Sequence, residues 1–220
     1  MKGRWLFMLT VLAGSLIVVT LPLNADTVIV SNSGPGDTYQ TSTGTAFAVG
    51  ATPIGFENRG VSFVVPGSTN FLLSDFRFAA NWFVGTNGTL SAALYGGSTD
   101  LNTATLLASF GPFTANAQFT PQIFTATATS NVLLAAGSTY FIVLSATNDG
   151  TTGWGWQFNS IGQTGDEWRQ LNGSSWTENT MATTPVFEVS ANPVPEPGSI
   201  LLLGTGLLGL AGVVRSKLRK

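Results

Sequence analysis

One apolar run decides the fold of this chain: Thr139-Tyr140-Phe141-Ile142-Val143-Leu144-Ser145. Its β-branched and aromatic residues favour a strand, and it shows no helical period. Successive residues of a strand point to opposite faces, so Tyr140, Ile142 and Leu144 would share one face. Phe141 and Val143 would share the other. Because both faces are apolar, we expect this run to be a central strand that is covered on both sides.

Ten more short runs lie before and after this one. They are rich in Val, Phe, Tyr, Ile and Thr, and none shows a sustained helical period. The predicted strands cover residues 27–31, 45–49, 61–65, 71–78, 89–95, 105–110, 122–127, 153–158, 167–171 and 185–189.

Turn-forming pairs separate these runs, among them Asn87-Gly88, Gly96-Gly97 and Asn172-Gly173. Short strands with a turn signal at intervals of about 8–12 residues favour an antiparallel sandwich over a parallel α/β fold. We therefore predict an all-β chain whose core is an antiparallel, jelly-roll-like β-sandwich. An N-terminal signal helix and a single hydrophobic C-terminal helix would flank it.

Histidine and cysteine are both absent from the 220 residues. This composition excludes a Ser-His-Asp or Cys-His hydrolase and a zinc site with histidine ligands. It also excludes stabilisation by disulfides, so a single domain must depend on packing, hydrogen bonds or a bound ion.

The charges are sorted along the chain. The net charge of the whole chain is −2, but between residues 26 and 193 three arginines face ten carboxylates, which gives −7. The other six basic residues lie near the two ends. An acidic body between basic ends is typical of an exported domain whose flanks stay cytoplasmic. It argues against a nucleic-acid partner, which needs a basic protein face.

The first 25 residues indicate a secretory signal peptide. Lys2 and Arg4 precede an apolar stretch at residues 5–21, which Pro22 ends, and Ala25 is a small residue at the expected cleavage point. The alternative is an uncleaved N-terminal anchor. Either version exports the body of the chain.

The C-terminal end has three parts. Residues 191–197 hold three prolines and predict an extended spacer after a sandwich domain at residues 26–190. Residues 198–214 are apolar but shorter than the roughly 20 residues of a comfortable membrane span. Residues 215–220 are basic and predict a stop on the cytoplasmic side.

This combination resembles the PEP-CTERM sorting signal. The resemblance rests on Val194-Pro195-Glu196-Pro197, on the Gly- and Leu-rich residues 200–212 and on the basic end. It implies that the recognition signal is Pro195, Glu196 and Pro197. It implies that the cytoplasmic stop is Arg215, Lys217, Arg219 and Lys220, although Ser216 and Leu218 interrupt the Arg run of many members.

The resemblance also implies a partner and a location. Proteins with this signal come from Gram-negative bacteria that produce exopolysaccharide, and their processing partner is an exosortase. The precursor would sit transiently in the inner membrane through its C-terminal helix. After processing, the protein would reach the cell surface or the extracellular matrix.

The body resembles the choice-of-anchor β-sandwich domains that often precede such a tail. The relevant stretches are residues 45–47, 71–76, 90–95 and 133–144. Such domains share no established activity, so this resemblance implies a fold and no reaction.

Four of the six tryptophans, Trp154, Trp156, Trp168 and Trp176, lie in one stretch rich in Gly, Asn, Ser and Gln. Trp154 and Trp156 are two residues apart and would share one face of a strand. Flat rings beside amide groups are typical of sugar-binding sites, which makes these four residues candidate carbohydrate contacts. The alternative is that they fill the core of the sandwich.

Asp166 and Glu167, with Asp149, are candidates for a calcium site, although no Asp-x-Asp-x-Asp-Gly loop is present. As neighbours on a strand, Asp166 and Glu167 would point to opposite faces and make a poor catalytic pair. We expect no catalytic residues and no cofactor or metal, with a calcium ion as the alternative. The leading hypothesis is a non-enzymatic surface or matrix protein associated with exopolysaccharide. A carbohydrate-binding module is the alternative, and a secreted glycoside hydrolase comes third.

Overall fold

The computed structural model describes residues 26–47, 57–85, 88–146 and 152–194, with seven helical positions between residues 204 and 218. In these ranges the chain is an all-β sandwich of two antiparallel sheets, which confirms the predicted fold class. The predicted signal helix at residues 1–25 and most of the predicted helix at residues 198–214 lie outside the described residues. Within the described part of the chain, no helix is both long enough and apolar enough to cross a membrane.

Thirteen strands make up the described sandwich, more than the eight of a simple jelly roll. In chain order they are β1 (Thr27–Ser31), β2 (Tyr39–Phe47), β3 (Glu57–Val64), β4 (Phe71–Val84), β5 (Leu90–Gly96), β6 (Thr105–Phe113), β7 (Gln122–Thr127), β8 (Leu133–Leu134), β9 (Thr139–Ala146), β10 (Gly153–Asn159), β11 (Thr164–Leu171), β12 (Thr177–Thr183) and β13 (Phe187–Pro193).

The first sheet has seven strands, and the long strand β4 is its centre. The pairing runs β1-β13-β4-β10-β2, and β7 and β8 also pair with β4. Ala80 pairs with both β7 and β10, and Phe78 pairs with both β7 and β13. Since a strand has two edges, β10 and β13 lie end to end along one edge of β4, and β7 lies along the other.

The second sheet has six strands in the order β12-β11-β3-β9-β5-β6. The apolar run at residues 139–145 lies in β9, which pairs with β3 and β5 and is therefore central, as predicted. Tyr140, Ile142 and Leu144 pack into the core between the sheets. Phe141 and Val143 pack into a separate cluster on the outer face. The two apolar faces of this strand are thus both covered.

Aromatic side chains fill much of the core between the two sheets. Phe76, Phe78, Trp154 and Trp156 are among its fully buried members. Phe78 stacks on Phe124 with ring centroids 5.4 Å apart. Burying a side chain such as Phe stabilises a fold by about 1.5–3 kcal/mol, so these rings supply much of the stability of a domain without disulfides.

The last strand extends beyond the predicted end of the sandwich. Residues 191–193 belong to β13, and Pro193 pairs with Phe71 of β4. Val194 then donates its backbone N–H to the Asn70 carbonyl at 2.8 Å. A proline is tolerated here because the terminal residue of a strand can lack a ladder hydrogen bond. The first three residues of the predicted spacer, 191–193, are therefore part of the sheet.

Candidate functional site

The four tryptophans predicted to contact carbohydrate do not form one surface. Trp154 and Trp156 are both 0% exposed and belong to the core between the sheets, and the Trp156 Nε1–H donates to the Val186 carbonyl at 2.9 Å. Trp168 is also buried, and its ring meets Phe141 edge to face at 5.6 Å on the outer side of the second sheet. Trp176 is half-buried and packs beside that pair.

These tryptophans therefore pack in apolar clusters of the sandwich, which was the alternative to a carbohydrate site. A sugar needs an open ring face, and Trp154, Trp156 and Trp168 offer none because their rings are enclosed by other apolar groups. This corrects the hypothesis that these three residues contact carbohydrate.

Part of the outer face of the second sheet is covered by a small apolar group, which we call the outer cluster. Gly60 of β3 lets the Leu101 side chain lie close to the sheet, because a Cβ at this position would come within 3.1 Å of it. The cluster consists of buried Leu101, Phe141, Val143 and Trp168, against which Tyr95, Ala104 and Trp176 pack.

One asparagine holds the cover of the outer cluster in place. The Asn102 Oδ1 accepts the Trp176 backbone N–H at 2.7 Å, and the Asn102 Nδ2 donates to the Trp176 carbonyl at 3.1 Å. The loop between β5 and β6 is thereby joined to the loop between β11 and β12. Both loops contribute side chains to the cluster.

The candidate carboxylates occupy different environments. Glu167 is buried and pairs with Arg59 at 3.1 Å. Glu57, also buried, pairs with Arg59 at 2.6 Å and with Arg169 at 2.5 Å. Burying a charged group is costly unless it is paired, and Arg59 and Arg169 provide the partners of these two carboxylates.

Asp166, the neighbour of Glu167 in the chain, lies close enough to Glu178 to affect its ionisation. Burial, together with the neighbouring carboxylates of Asp166 and Asp100, raises the pKa of Glu178. In the described ranges, no three acidic side chains come close enough together to hold a metal ion. Asp149, the third residue of the calcium hypothesis, lies outside the described residues.

The outer face of the first sheet carries a polar groove with a volume of ≈ 230 Å³. Sequence reasoning missed it, because its lining comes from three strands that are distant in the sequence. We call it the sheet groove. It is lined by Thr41, Ser42, Thr43 and Gly44 of β2, Asn81 and Phe83 of β4, and Gly155 and Gln157 of β10.

The floor of the sheet groove follows from the alternation of β10. Trp154 and Trp156 point inward, so Gly155 and Gln157 point outward. A Cβ on Gly155 would lie 2.8 Å from the Asn81 Oδ1. One on Gly44, which pairs with Gln157, would overlap the Trp156 carbonyl oxygen. Glycine at both positions keeps the floor flat, because neither strand has room for a side chain there.

Two amides fix one wall of the groove. The Gln157 Nε2 and the Asn81 Oδ1 are 2.7 Å apart, and Gln157 is only 4% exposed. Asn81 and Phe83 are half-buried, while Thr41, Ser42 and Thr43 are exposed. The groove therefore presents hydroxyl groups, amides and one aromatic ring, and its lining carries no charged side chain.

The two ends of the sandwich lie side by side. The first strand, β1, runs antiparallel to the last strand, β13, and Thr27 pairs with Ala191. The Asn192 Nδ2 donates to the Asp26 Oδ1 at 2.8 Å. Asp26 and Val194, the first and last described residues of the sandwich, therefore lie at one end of it, which we call the tail end.

The sheet groove is far from the tail end. Phe71, at the start of β4, pairs with Pro193 at the tail end, whereas Asn81 and Phe83 lie near the other end of the same strand. At about 3.3 Å per residue, Asn81 lies about 33 Å along β4 from Phe71.

The predicted sorting residues follow directly after the described sandwich. Pro195, Glu196 and Pro197 lie outside the described residues, as do Lys217, Arg219 and Lys220 of the predicted stop. Arg215 is described as helical and exposed.

A family comparison identifies this C-terminal part. The model of the PEP-CTERM protein-sorting motif matches residues 193–216. No curated protein matches the chain.

Two solved structures show limited similarity. One contains the cysteine protease and lectin-like domains of Cwp84, a surface layer associated protein of Clostridium difficile. It is 12% identical over 63% of this chain and 32% of that chain, with a TM-score of 0.43. The other is from the infectious bursal disease virus Gx strain, 14% identical over 76% of this chain and 49% of that chain, with a TM-score of 0.22. This chain thus spans about a third and about half of their lengths, and neither likeness supports a functional conclusion.

The matched residues begin with the last residue of β13, so the sorting motif is joined to the sheet without an intervening linker. Such a motif implies export, recognition by an exosortase and sorting to the cell surface. The chain therefore carries a PEP-CTERM protein-sorting motif at residues 193–216, directly after a β-sandwich domain.

Proposed function

We propose that this chain is a non-enzymatic surface or extracellular-matrix protein that is displayed among exopolysaccharide after an exosortase has processed its C-terminus. The observation that carries the proposal is the sorting motif at residues 193–216, which continues directly from the last strand of the sandwich. The precursor is held transiently in the inner membrane, after a signal peptide at residues 1–25 has directed export.

The position of the two chain ends supports this arrangement. Asp26 and Asn192 are hydrogen-bonded neighbours, so the exported N-terminus and the membrane-directed C-terminus leave from the same end of the domain. A domain held at the envelope by this end projects its opposite end outward. A β-sandwich supported at one end suits display, because its binding surfaces can lie on rigid strands.

The side-chain chemistry favours display over catalysis. Two buried carboxylates, Glu57 and Glu167, are paired with arginines, so neither is free to act as an acid, a base or a nucleophile. Asp166 and Glu167, the pair considered for a glycosidase, differ in partners and surroundings. Hydrolysis of any member of a broad glycoside panel by the purified protein would contradict the non-enzymatic part of the proposal.

Processing is tested by following the full chain in an exosortase-containing host and in a strain lacking that enzyme. We expect a shortened form at the cell surface or in the matrix in the first strain and a full-length inner-membrane form in the second. The matched variant Pro195→Ala/Glu196→Ala/Pro197→Ala should stay full-length in both strains. A variant that is processed like the wild type, or a wild-type chain that stays full-length, would sink the proposal.

Association with exopolysaccharide is tested on the same cells. The mature form should be recovered with the extracted polysaccharide fraction and should be released when that polysaccharide is not produced. Recovery of the mature form as a free protein in the medium of both kinds of cell would contradict this part.

A further inference from the structure

We propose that the sheet groove binds a sugar unit of an uncharged polysaccharide and that it points away from the cell envelope. This inference rests on the proposed function and deepens it, because it names the surface and the class of glycan through which the displayed protein would act. It also moves the carbohydrate site from the buried tryptophans to the outer face of the first sheet.

The groups in the groove match those of a sugar ring. A sugar presents hydroxyl groups at its rim and C–H groups on its faces, so a binding site needs hydrogen-bonding side chains beside a flat apolar ring. The sheet groove offers the hydroxyls of exposed Thr41, Ser42 and Thr43 and the amide of Asn81. The half-buried ring of Phe83 lies in the same lining.

The lining is held in a fixed arrangement before any ligand arrives. Asn81 is bound to Gln157 at 2.7 Å, and Gln157 is itself almost fully buried. The lining residues lie on three paired strands, and the pairing of β10 with both β2 and β4 sets their spacing. Polar groups that are already ordered lose little conformational freedom on binding.

The charge of the groove selects the class of glycan. Its lining contains no Arg, Lys, Asp or Glu. The described arginines Arg59, Arg77 and Arg169 are all engaged with carboxylates elsewhere in the sandwich. An anionic polysaccharide would therefore meet an acidic domain without a compensating cation in the groove. A neutral glycan meets no such repulsion.

The size of the groove fits one unit of a longer chain. Its volume of ≈ 230 Å³ is below the roughly 300–1,000 Å³ of pockets that enclose a whole drug-sized ligand. The neighbouring units would run over the exposed hydroxyl side chains of β2. Because Asn81 is about 33 Å along β4 from the tail end, the groove is placed to meet polysaccharide beyond the envelope.

Another depression on the first sheet is a weaker candidate. It has a volume of ≈ 310 Å³ and includes Thr129, Asn131 and Asn192, but no aromatic ring lines it. It also contains a residue of the tail end, where the envelope would hinder a polymer. Compared with this depression, the sheet groove is favoured by both chemistry and position.

The test uses the full chain purified in detergent, so that binding is measured whether or not processing occurs. Affinity electrophoresis in gels that contain a neutral glucan, mannan or galactan should retard the wild type in at least one gel, and alginate should not. The variants Phe83→Ala and Asn81→Asp should bind about tenfold more weakly. The matched control Phe119→Ala, which removes a 67% exposed ring outside the groove, should bind like the wild type.

Thermal unfolding of each variant shows whether lost binding reflects the groove or the fold. If either variant is unfolded, Ser42→Trp replaces it, because a tryptophan side chain at this exposed position can fill the groove. We expect Ser42→Trp to abolish retardation. Absence of retardation of the wild type in every neutral gel, equal binding by the groove variants, or a preference for alginate would overturn the inference. Binding in detergent by a chain that cells never process would instead contradict the proposed function alone.

Discussion

The two outer faces of the sandwich differ in what the central strands place on them. On the second sheet, β9 directs Phe141 and Val143 outward, and two loops cover them as the outer cluster. On the first sheet, β10 directs Gly155 and Gln157 outward, where they line an open groove. Both sheets meet the same core on their inner faces.

This difference shows why the number of aromatic residues in a stretch of sequence does not by itself identify a binding surface. Where an outer face carries large apolar side chains, the sequence also supplies loops that remove them from water, since burial of apolar area is the main stabilising term. Where it carries glycine and amides, a groove remains between them and the exposed hydroxyl side chains of β2. The sheet groove combines hydroxyl groups, amides and one ring, although strand β10 beneath it holds two buried tryptophans.

The sharpest test of this contrast is the same substitution on each outer face. Phe141→Ala should lower the free energy of unfolding by about 3–5 kcal/mol, because Phe141 is 0% exposed and its removal leaves a cavity beside Trp168. Phe83→Ala should lower it by less, about 1–2 kcal/mol, because its half-buried ring keeps part of its contact with water in the folded state. Urea denaturation of the two purified variants measures both values. Equal losses would mean that the two faces do not differ in the way described.

A second test opens the cover of the outer cluster without touching its apolar members. Asn102→Ala removes both hydrogen bonds to the Trp176 backbone and should lower the free energy of unfolding by about 1–2 kcal/mol. Tryptophan fluorescence should shift to longer wavelength as Trp168 gains contact with water. Asn131→Ala, at an exposed position in another loop, serves as the control and should change neither quantity. An unchanged spectrum of Asn102→Ala would show that the loops close without this residue.

The smallest effect on stability is expected from a substitution of Asp75, which lies on β4, the strand that also lines the sheet groove. Burial raises the pKa of Asp75, and the Asp26 and Glu188 carboxylates add to that shift. The folded state therefore holds the proton more tightly than the unfolded state, so the ionised carboxylate opposes folding at neutral pH. Asp75→Asn should raise Tm slightly at pH 7.

The pH dependence of that variant supplies the decisive comparison. The Tm difference between Asp75→Asn and the wild type should shrink as the pH falls through the raised pKa, because the wild-type carboxyl is then protonated in the folded state. Asp37→Asn is the matched control with the opposite sign, since Asp37 pairs with Arg77 at 2.9 Å and its removal should lower Tm. A Tm gain for Asp75→Asn that is independent of pH would contradict this account.

Much of the fold was predictable because the relevant patterns are local. The run at residues 139–145 alternates within itself, so its central position and its two covered faces followed from the sequence. Strand β12 was not predicted, since Thr-Glu-Asn-Thr-Met-Ala-Thr is largely polar and lies at a sheet edge, where no apolar alternation is required. The end of β13 was missed for a related reason: prolines argue against a strand, but Pro193 occupies its last position.

The candidate site was much less predictable. Period-two alternation correctly placed Trp154 and Trp156 on one face, but it does not say whether that face points inward or outward. The tryptophans point inward because of how β10 pairs with β2 and β4. The sequence of β10 alone does not predict that pairing. The alternation of Gly and Trp in Gly153-Trp154-Gly155-Trp156 was the pattern that could have predicted this, because it gives the strand one face with large side chains and one face with none.

The pairing of the first strand with the last also bears on the kinetics of folding. The hydrogen bond between Asn192 and Asp26 joins residues 166 positions apart, and β13 lies between β1 and β4 inside its sheet. The first sheet therefore cannot close until nearly the whole domain has been exported, and such distant contacts form slowly. A chain that is retained by its C-terminal segment during this interval would complete its fold before release. The order of synthesis, export and processing would then ensure that only a finished sandwich leaves the membrane.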